Sequence, residues 1–397
     1  MSLLSFRVAD YAQQKLVSQL GRGLDLLTQS FIRDIGEKKL GRSAPRALVI
    51  YVGSSIPYYV NGNVNECPII DTHAMYWEAA EIVRVLNQEG YIVDFVDRFR
   101  QQPKIEWGKY QLVIDEGNNL IDASIVPGQK RVYYCTGLHW EFHNQSQLRR
   151  VRSFYDRTGV LVPVHRWLNP MFNDHLADHI FYWADPSWMK LFHPKPERHE
   201  ITTSVVHVPQ YFPMTEGNRS LVWIGSSGAV HKGLDLAVEA VSQLPSVMLH
   251  IFGYIETETK FFEWLRAKMK MHPNITFEGP ADFKSARFKF VASSSIGHIY
   301  PSCSEGGPGS VAQTSCFGLI PIVTDTANTR TGKAGYVISS VEPDEIIVEL
   351  KKSIEHLVGL SSGEISSKRT YVRDVACQEH SRAAYTRHFT RFIQNIK

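Results

Sequence analysis

The sequence predicts an α/β protein made of two Rossmann-like, doubly wound domains that face a cleft. Apolar strand-like runs alternate with amphipathic helical stretches along most of the chain. This series restarts after a polar stretch, "MTEGNRS" at 214–220, and a length of 397 residues fits two domains. Because strands that alternate with helices usually form parallel sheets covered on both faces, each half is expected to be one such unit.

Composition and charge narrow the function classes. Apolar residues make up 43% of the chain and charged residues 21%, which is typical of a globular protein with a large core. The net charge of +3 gives no reason to expect a nucleic-acid partner. The five cysteines are scattered without a CxxC pair, so we expect reduced thiols and a cytoplasmic location rather than a disulfide frame or a zinc knuckle.

Residues 1–45 form a separate N-terminal helical segment in this interpretation. Apolar residues recur there at spacings of three and four: Leu16, Leu20, Leu24, Leu27 and Phe31. The pattern favours a helix packed on its own domain. The alternative is an amphipathic helix that makes peripheral contact with the anionic inner face of a membrane, since basic residues are interleaved.

The N-terminal domain is predicted to span residues 46–213. Its first strand is "ALVIYVG", followed by a helix at 72–90 in which Gly90 is a plausible C′ residue. Further strands are predicted at 91–97, 110–117, 130–137, 159–168, 179–185 and 203–213.

The C-terminal domain is predicted to span residues 214–370, with a final helix at 371–397 that crosses back to the N-terminal domain. Its strands are "SLVWIG", "VMLHIFG", "NITFEG", "IGHIYPS" and "AGYVIS", separated by helical stretches. The strand "IGHIYPS" leads into the most informative stretch of the chain, "YPSCSEGGPGSVAQTSCFGLIPIVT" at 300–324.

This stretch predicts an anion site beside an acid. Pro308 suits the first position of a helix, which makes Gly307 the expected N-cap. Backbone N–H groups at a helix start favour a phosphate, and open α/β sheets bind ligands at the carboxyl ends of their strands. A carboxylate such as Glu305 beside a phosphate site is reasonable if it accepts hydrogen bonds from sugar hydroxyls. Gln313 is placed to reach another hydroxyl pair, such as a ribose.

A second strand, loop and helix start, "WIGSSGAVHKG", lies at 223–233. Lys232 precedes its helix and is a suitable point charge for a diphosphate. An exposed loop lysine is the alternative for Lys232 taken alone, but two such loops in one domain favour phosphate contact.

Residues 220–325 resemble the donor domain of retaining glycosyltransferases of the GT-B fold, in the large family four. The family's motifs appear in order as "IGSSGAVHKG", "HIFG", "ITFEG" and "PSCSEGGPGSVAQTSCFGLIPIV". The N-terminal half resembles the family's acceptor domain only in layout.

The resemblance implies transfer of a sugar from a nucleoside-diphosphate sugar, UDP- or GDP-linked, with retention and without a metal or a cofactor. It implies that Glu305 holds the sugar hydroxyls, that Lys232 neutralises the diphosphate, and that Gly306 and Gly307 contact sugar and phosphates. The other donor-binding positions are Gly225, Ser226, Ser227, Gly253, Pro280, Ala281 and Gln313, with Asp282 also bordering the base. The acceptor, which is a glycan, a lipid-linked glycan or a protein, is not specified by the motifs.

Two positions depart from the family. Ser226 stands where an arginine usually follows the first-strand glycine, and Gln313 replaces the second acid of the motif. The first departure removes a cation for the phosphates unless another basic residue substitutes for it. Both keep a non-catalytic nucleotide-sugar binder or scaffold open as an alternative function.

Histidines are the candidate polar groups of the acceptor side. His139, after the strand at 130–137, is the first choice for contact with donor sugar or acceptor, and His73 is expected to face the cleft. His139 and His143, like His175 and His179, have metal-ligand spacing, but neither pair has the HExxH order of a zinc protease. An NAD-dependent oxidoreductase is disfavoured because GxGxxG follows the first strand of neither half.

Overall fold

The structure is a computed structural model that describes residues 31–100, 103–183, 185–209, 219–327 and 335–397. Most of the predicted N-terminal helical segment, including the leucines of its pattern up to Leu27, lies outside these residues. Its last part was predicted wrongly, because Phe31–Ile35 forms a strand, β1, rather than a helix. Among the described residues, no helix is both long and apolar enough to cross a membrane.

Seven strands form the N-terminal sheet, in the order β1-β3-β2-β4-β5-β6-β7. They are β1 (Phe31–Ile35), β2 (Arg46–Tyr51), β3 (Ile92–Asp97), β4 (Leu112–Asp115), β5 (Lys130–Cys135), β6 (His179–Tyr182) and β7 (Glu197–Glu200). Only the edge strand β1 is antiparallel to its neighbour. The central strands are buried apolar runs, as expected of strands covered on both faces.

In the described residues of this domain, the connections contain six helices and three short 3₁₀ turns. The helices are α1 (Glu37–Leu40), α2 (Ile56–Val60), α3 (Ala74–Gln88), α4 (Leu120–Ala123), α5 (Trp140–Thr158) and α6 (Asn173–Leu176). The 3₁₀ turns are Val64–Glu66, Trp107–Lys109 and Pro186–Leu191. Gly90 has a φ of +92° just after α3, which is the left-handed conformation predicted for a C′ glycine.

Two predicted strands of this domain are wrong. Residues 159–168 form no strand and link α5 to α6. Residues 203–209 are also irregular, and residues 210–213 of that predicted strand lie outside the described part of the chain. The sheet is instead closed by β7, which has no apolar run. In the 159–168 link, Val162 is buried against the C-terminal core rather than paired in a sheet, so tertiary packing decided its conformation.

Six parallel strands form the C-terminal sheet, in the order β10-β9-β8-β11-β12-β13. They are β8 (Ser220–Gly225), β9 (Met248–Gly253), β10 (Ile275–Gly279), β11 (Ser295–Tyr300), β12 (Ile320–Thr324) and β13 (Tyr336–Ile338). The chain winds outward from β8 through β10 and then returns to the other side of β8 with β11. The pair β8–β11 is therefore the topological switch point, where open α/β sheets bind their ligands.

The C-terminal domain carries helices on both faces of this sheet. They are α7 (Leu234–Ser242), α8 (Thr259–Met271), α9 (Ala286–Ser294), α10 (Gly309–Ser315), α11 (Pro343–Gly359) and α12 (Ser362–Glu379), with 3₁₀ turns at Ile255–Thr257 and Asp325–Ala327. The predicted start of α10 is one residue early, because Pro308 is the N-cap and the helix begins at Gly309.

The last helix, α13 (Arg382–Ile396), packs on the N-terminal domain. Its Phe392 ring stacks on Phe181 of β6, with 4.5 Å between ring centroids. Tyr385 and Phe389 belong to the same buried cluster. The cleft between the domains is further bridged by Asp71, which pairs with Lys284 and with Arg382, each at 2.6 Å. The Asp71–Lys284 pair therefore links the two domains, and the Asp71–Arg382 pair holds α13 on the N-terminal domain.

Candidate active site

The two glycine-containing loops of the C-terminal domain meet at the switch point. Lys232 comes from the loop after β8 and Glu305 from the loop after β11. The Lys232 Nζ donates a hydrogen bond to Glu305 Oε1 at 3.0 Å and to the Tyr300 hydroxyl at 2.9 Å. Lys232 is 6% exposed, so the surface lysine considered from the sequence is excluded. The two residues chosen independently from the sequence thus share one small site.

Glycines allow the Lys232 side chain to reach this position. A Cβ on Gly225 would collide with the Trp223 ring and lie 2.9 Å from Lys232 Cδ. Gly233 has a φ of +69°, and a Cβ there would collide with the carbonyl group of Pro301. Both glycines therefore permit a close approach between the loops after β8 and β11 that other residues would block.

Glu305 is held as a carboxylate. Its Oε1 accepts hydrogen bonds from the Tyr300 hydroxyl at 3.0 Å and the Ser302 hydroxyl at 3.2 Å, in addition to Lys232. Burial would raise the pKa of Glu305, but the positive charges of Lys232 and Arg166, with His231, lower it well below its usual range. A carboxylate that stays ionised in a buried site is a strong acceptor for ligand hydroxyls.

The glycines after Glu305 lie directly against the N-terminal domain. A Cβ on Gly306 would collide with the backbone of Thr136 and lie 2.6 Å from Gly137 Cα. Gly307 has a φ of +94°, and a Cβ there would lie 3.2 Å from the carbonyl oxygen of Trp183. The glycines thus serve the contact between domains; their contacts with sugar and phosphates stay a prediction.

The loop after β8 has an inner and an outer part. The N–H groups of Gly228 and Ala229 donate to the buried carboxylate of Glu258, at 2.6 Å and 3.1 Å. These two N–H groups are therefore occupied. Ser226 and Ser227, at the tip of the loop, are exposed and remain the part of this loop that a ligand can reach.

Three groups of the N-terminal domain approach this site: His73 and His143, which the sequence analysis names, and Arg166, which it does not. Arg166, on the 159–168 link, lies against Gly228, with Cδ 2.8 Å from the position that a Cβ of Gly228 would take. The His143 ring lies 4.8 Å from the ring of His231. His73, expected to face the cleft, is an exposed residue at the start of α3. The protein atoms around its ring, and the charges of Lys232 and Arg166, lower its pKa to about 4.

His139, the first choice from the sequence, has other neighbours. It is the N-cap residue of α5, and its Nε2 lies 3.8 Å from a carboxylate oxygen of Asp174. Its ring packs edge-on against Phe192, with 5.5 Å between centroids. Burial lowers its pKa despite the nearby acid. His143 lies about one helical turn after His139, and its ring is the one in this stretch that lies beside His231.

Gln313 is occupied by the segment that leaves the N-terminal domain. It is 2% exposed, and its Oε1 accepts hydrogen bonds from the backbone N–H groups of Val206 and His207, both at 3.0 Å. Its Nε2 donates to the carbonyl oxygen of His207. A ribose contact stays a prediction that would require these bonds to break.

The remaining predicted donor positions lie at the carboxyl ends of β9 and β10. A Cβ on Gly253 would collide with the carbonyl oxygen of Gly225, so this glycine lets β8 and β9 end close together. Pro280 and Asp282 are exposed, and Ala281 is half-buried beside Phe283. This loop continues to Lys284, which reaches Asp71 across the cleft. The predicted border of the base is therefore at the cleft.

The histidine pairs with metal-ligand spacing do not act as pairs. His175 lies in α6 and His179 in β6, while the His143 Nε2 is 2.6 Å from the Arg166 carbonyl oxygen. Within the described ranges, the group with suitable geometry for a metal ion is His179, Glu197 and His199. It lies on β6 and β7, towards the amino ends of these strands. The loop that contacts Gly306 follows the carboxyl end of the neighbouring strand β5.

Comparison with known proteins agrees with this geometry. Residues 218–356 match the family model described as glycosyl transferases group 1. This match contains both loops, the switch point and the Lys232–Glu305 pair. A search of curated protein sequences gave no match.

Two solved structures share the fold of this chain at low sequence identity, and a third gives a weaker match. Sucrose-phosphate synthase from Thermosynechococcus elongatus matches with a TM-score of 0.59 and 11% identity, over 89% of this chain and 99% of that one. Anabaena HepE in complex with UDP matches with a TM-score of 0.53 and 12% identity, over the same shares. The chain covers 56% of pneumococcal O-GlcNAc transferase GtfA, at a TM-score of 0.45 and 16% identity.

Proposed function

We propose that this chain is a retaining, metal-independent transferase that takes a sugar from a nucleoside-diphosphate sugar. It has the GT-B glycosyltransferase fold, and its C-terminal half is of the glycosyl transferases group 1 type. The observation that carries the proposal is the hydrogen bond between Lys232 and Glu305, which brings a cation and a sugar-binding carboxylate within 3.0 Å at the switch point. A UDP-sugar is the first donor to test, since HepE structures hold UDP or UDP-glucose.

Each residue has a role that its surroundings support. Glu305 is ionised and accepts hydroxyl protons, so it orients the sugar. Lys232 faces the same space and stabilises the diphosphate. As the bond between the anomeric carbon and the diphosphate oxygen breaks, its electron pair stays on that oxygen. The positive charge of Lys232 then stabilises the negative charge that develops on this oxygen. It does so without rearrangement, because it is in place before the reaction.

The acceptor supplies a hydroxyl whose oxygen bonds to the anomeric carbon, while its proton passes to the departing diphosphate oxygen. The cleft side opposite Glu305 is formed by the N-terminal domain, where His143 and His73 lie. Burial lowers the pKa of His143, and enclosure lowers that of His73, so both imidazoles are neutral at pH 7 and can accept a hydrogen bond. We propose these two histidines, ahead of His139, as the groups closest to the acceptor.

The test is incubation of the full chain with a panel of UDP-, GDP- and ADP-sugars, with release of the free nucleoside diphosphate as the readout. Slow donor hydrolysis, or transfer to an added glycan acceptor, is expected for one donor and should fall by ~10²-fold or more in Glu305→Ala. The product anomer, read by NMR, checks retention, and an unchanged rate in EDTA checks metal independence. Wild-type protein that binds none of the nucleotides would contradict the proposal.

A non-catalytic nucleotide-sugar binder is the second candidate. It is favoured by Gln313, whose hydrogen-bonding groups are taken by the backbone of Val206 and His207 instead of being open to a ligand. The same panel separates the two functions, because a binder shows a thermal shift with a nucleotide sugar but neither hydrolysis nor transfer. Intact donor after prolonged incubation, with binding demonstrated, would favour this candidate.

A further inference from the structure

The Lys232–Glu305 pair leaves the site short of positive charge. The Lys232 ammonium is already compensated by the Glu305 carboxylate at 3.0 Å, so the buried pair carries no net charge. The nearby imidazoles of His73, His143 and His231 add none at neutral pH, because burial or enclosure lowers the pKa of each. A diphosphate carries several negative charges and is costly to bind in such a site without another cation.

Arg166 is a cation at this site that no acid compensates. Its Nε is buried and has no hydrogen-bond partner among the described residues. Among the described residues, no Asp or Glu forms an ion pair with its guanidinium. The nearby carboxylate of Glu258 lies instead 3.6 Å from His165, the residue before Arg166. Buried polar groups are nearly always paired, so an unpaired guanidinium atom in a cleft needs an explanation.

The backbone around Arg166 is fixed by side chains of α5. The Arg166 N–H donates to Gln147 Oε1 at 2.9 Å, and its carbonyl oxygen accepts from His143 Nε2 at 2.6 Å. Two residues later, Asn144 binds the backbone of Leu168 through both its oxygen and its nitrogen, at 3.0 Å and 2.8 Å. The protein therefore holds this link rigidly and leaves the side chain of Arg166 available for a ligand.

The side chain points at the loop after β8. Its Cγ and Cδ lie 3.0 Å and 2.8 Å from where a Cβ on Gly228 would be, so it rests on bare backbone next to the exposed Ser226 and Ser227. Its charge also acts across the site, since it contributes to the lowered pKa of Glu305 after Lys232. The Arg166 side chain thus rests on the loop after β8, and its charge acts on the acid of the loop after β11.

We propose that Arg166, from the N-terminal domain, binds the diphosphate and replaces the arginine that Ser226 removes from the loop. This inference rests on the proposed function and adds that the donor site is shared between the two domains. A guanidinium binds two phosphate oxygens at once, which a lysine cannot do. One cation from each domain would then assist the departure of the diphosphate. A bound diphosphate would link the two domains through Lys232 and Arg166, and this link is missing when the site is empty.

The experiment compares full-length wild type with Arg166→Gln and Arg166→Lys. Arg149→Gln is the matched control, because Arg149 also belongs to the N-terminal domain and pairs across the cleft, with Glu342 at 3.6 Å. UDP, UMP and inorganic pyrophosphate are the probes, and calorimetry gives each dissociation constant. Thermal unfolding of the unliganded variants checks that each one folds.

We expect Arg166→Gln to weaken UDP and pyrophosphate binding by ~10- to 100-fold, the loss of a charged hydrogen-bond pair, and UMP binding by much less. Arg166→Lys should recover only part of the loss, since it keeps the charge but not the fork. Arg149→Gln should bind all three probes as wild type does.

The outcomes separate the two proposals. If wild type binds UDP and Arg166→Gln binds it equally well, the shared site is wrong and the transferase proposal stands. If wild type binds pyrophosphate through Arg166 but no nucleotide, the cation site stands and the transferase proposal is wrong. If wild type binds none of these probes, both are overturned. An equal loss of UMP and UDP affinity would also overturn the inference, because it would place Arg166 at the nucleoside.

Discussion

Glu305 and Glu78 are glutamates that the protein encloses, one in each domain, and they differ in their surroundings. Glu305, in the C-terminal domain, pairs with Lys232 at 3.0 Å, and its pKa is lowered. Glu78, on α3 of the N-terminal domain, is fully buried and accepts one hydrogen bond from the Ser204 N–H at 2.8 Å. Its Oε2 has no partner among the described residues. Burial raises the pKa of Glu78 to about 7, although Ser204 opposes this.

The difference shows that a cation, rather than burial, decides what a buried carboxylate can do. Glu305 is charged throughout the physiological range and suits ligand hydroxyls. Glu78 lies near Tyr51 and Tyr134. Because its pKa is about 7, a large fraction of the molecules carry a protonated Glu78 at neutral pH, which suits a structural role. The following variants break or sharpen this comparison.

Lys232→Met should have the largest effect, because it leaves Glu305 buried without its cation. Loss of one partner of a buried ion pair costs about 3–5 kcal/mol of unfolding free energy. Denaturant unfolding measures this loss, with Lys352→Met on the exposed face of α11 as the control. The double variant Lys232→Met with Glu305→Leu should regain much of the stability. A double variant as unstable as the single one would show that the pair is not the cause.

Glu305→Ala should lower kcat/KM by ~10²-fold or more, since a charged hydrogen bond contributes about 1.5–3 kcal/mol and Glu305 is expected to make more than one. Steady-state kinetics with the donor found in the panel measures it. Binding of UDP without the sugar should be retained or strengthened, because Lys232 is no longer neutralised by the acid. Activity within threefold of wild type would refute the sugar-binding role.

Glu78→Gln should stabilise the protein at high pH only. The folded pKa of Glu78, about 7, lies above its ordinary value of 4.5. The stability from its protonated form is therefore complete below about pH 4.5 and is lost as the pH rises through 7. The amide imitates the protonated acid, so the variant should gain up to about 3 kcal/mol over wild type above pH 7 and nothing near pH 4.5.

Unfolding free energies at several pH values test this, with the exposed Glu355→Gln as the control for loss of a charge. A difference between Glu78→Gln and wild type that does not change with pH would be inconsistent with a raised pKa at Glu78.

Gln313→Glu should have the smallest effect. The acid keeps the two acceptor bonds to Val206 and His207 but places a carboxylate oxygen against the carbonyl oxygen of His207. We expect a loss of about 1–3 kcal/mol of unfolding free energy, with UDP affinity unchanged. An altered UDP affinity, in either direction, would support the ribose contact predicted from the sequence.

The sequence predicted the C-terminal half more closely than the N-terminal half. Local signals are strong there: glycines needed for close approach at Gly225 and Gly233, and a lysine and an acid in the loops that follow β8 and β11. In the N-terminal half, the apolar run at 159–168 was read as a strand, yet it packs as an irregular link on the other domain. The role of His139 stays a prediction, because its ring lies beside Asp174 and Phe192, whereas the ring of His143 lies beside His231.

By itself, the sequence determined the two α/β units and the loops that carry Lys232 and Glu305, because strand periodicity, glycine positions and the order of motifs are local properties. Only the tertiary structure decided which groups meet across the cleft. Arg166 reaches Gly228 because the 159–168 link crosses to the other domain, and Gln313 is engaged because the outgoing segment passes over it. Such contacts depend on how two separately folded sheets pack, which no short stretch of residues encodes.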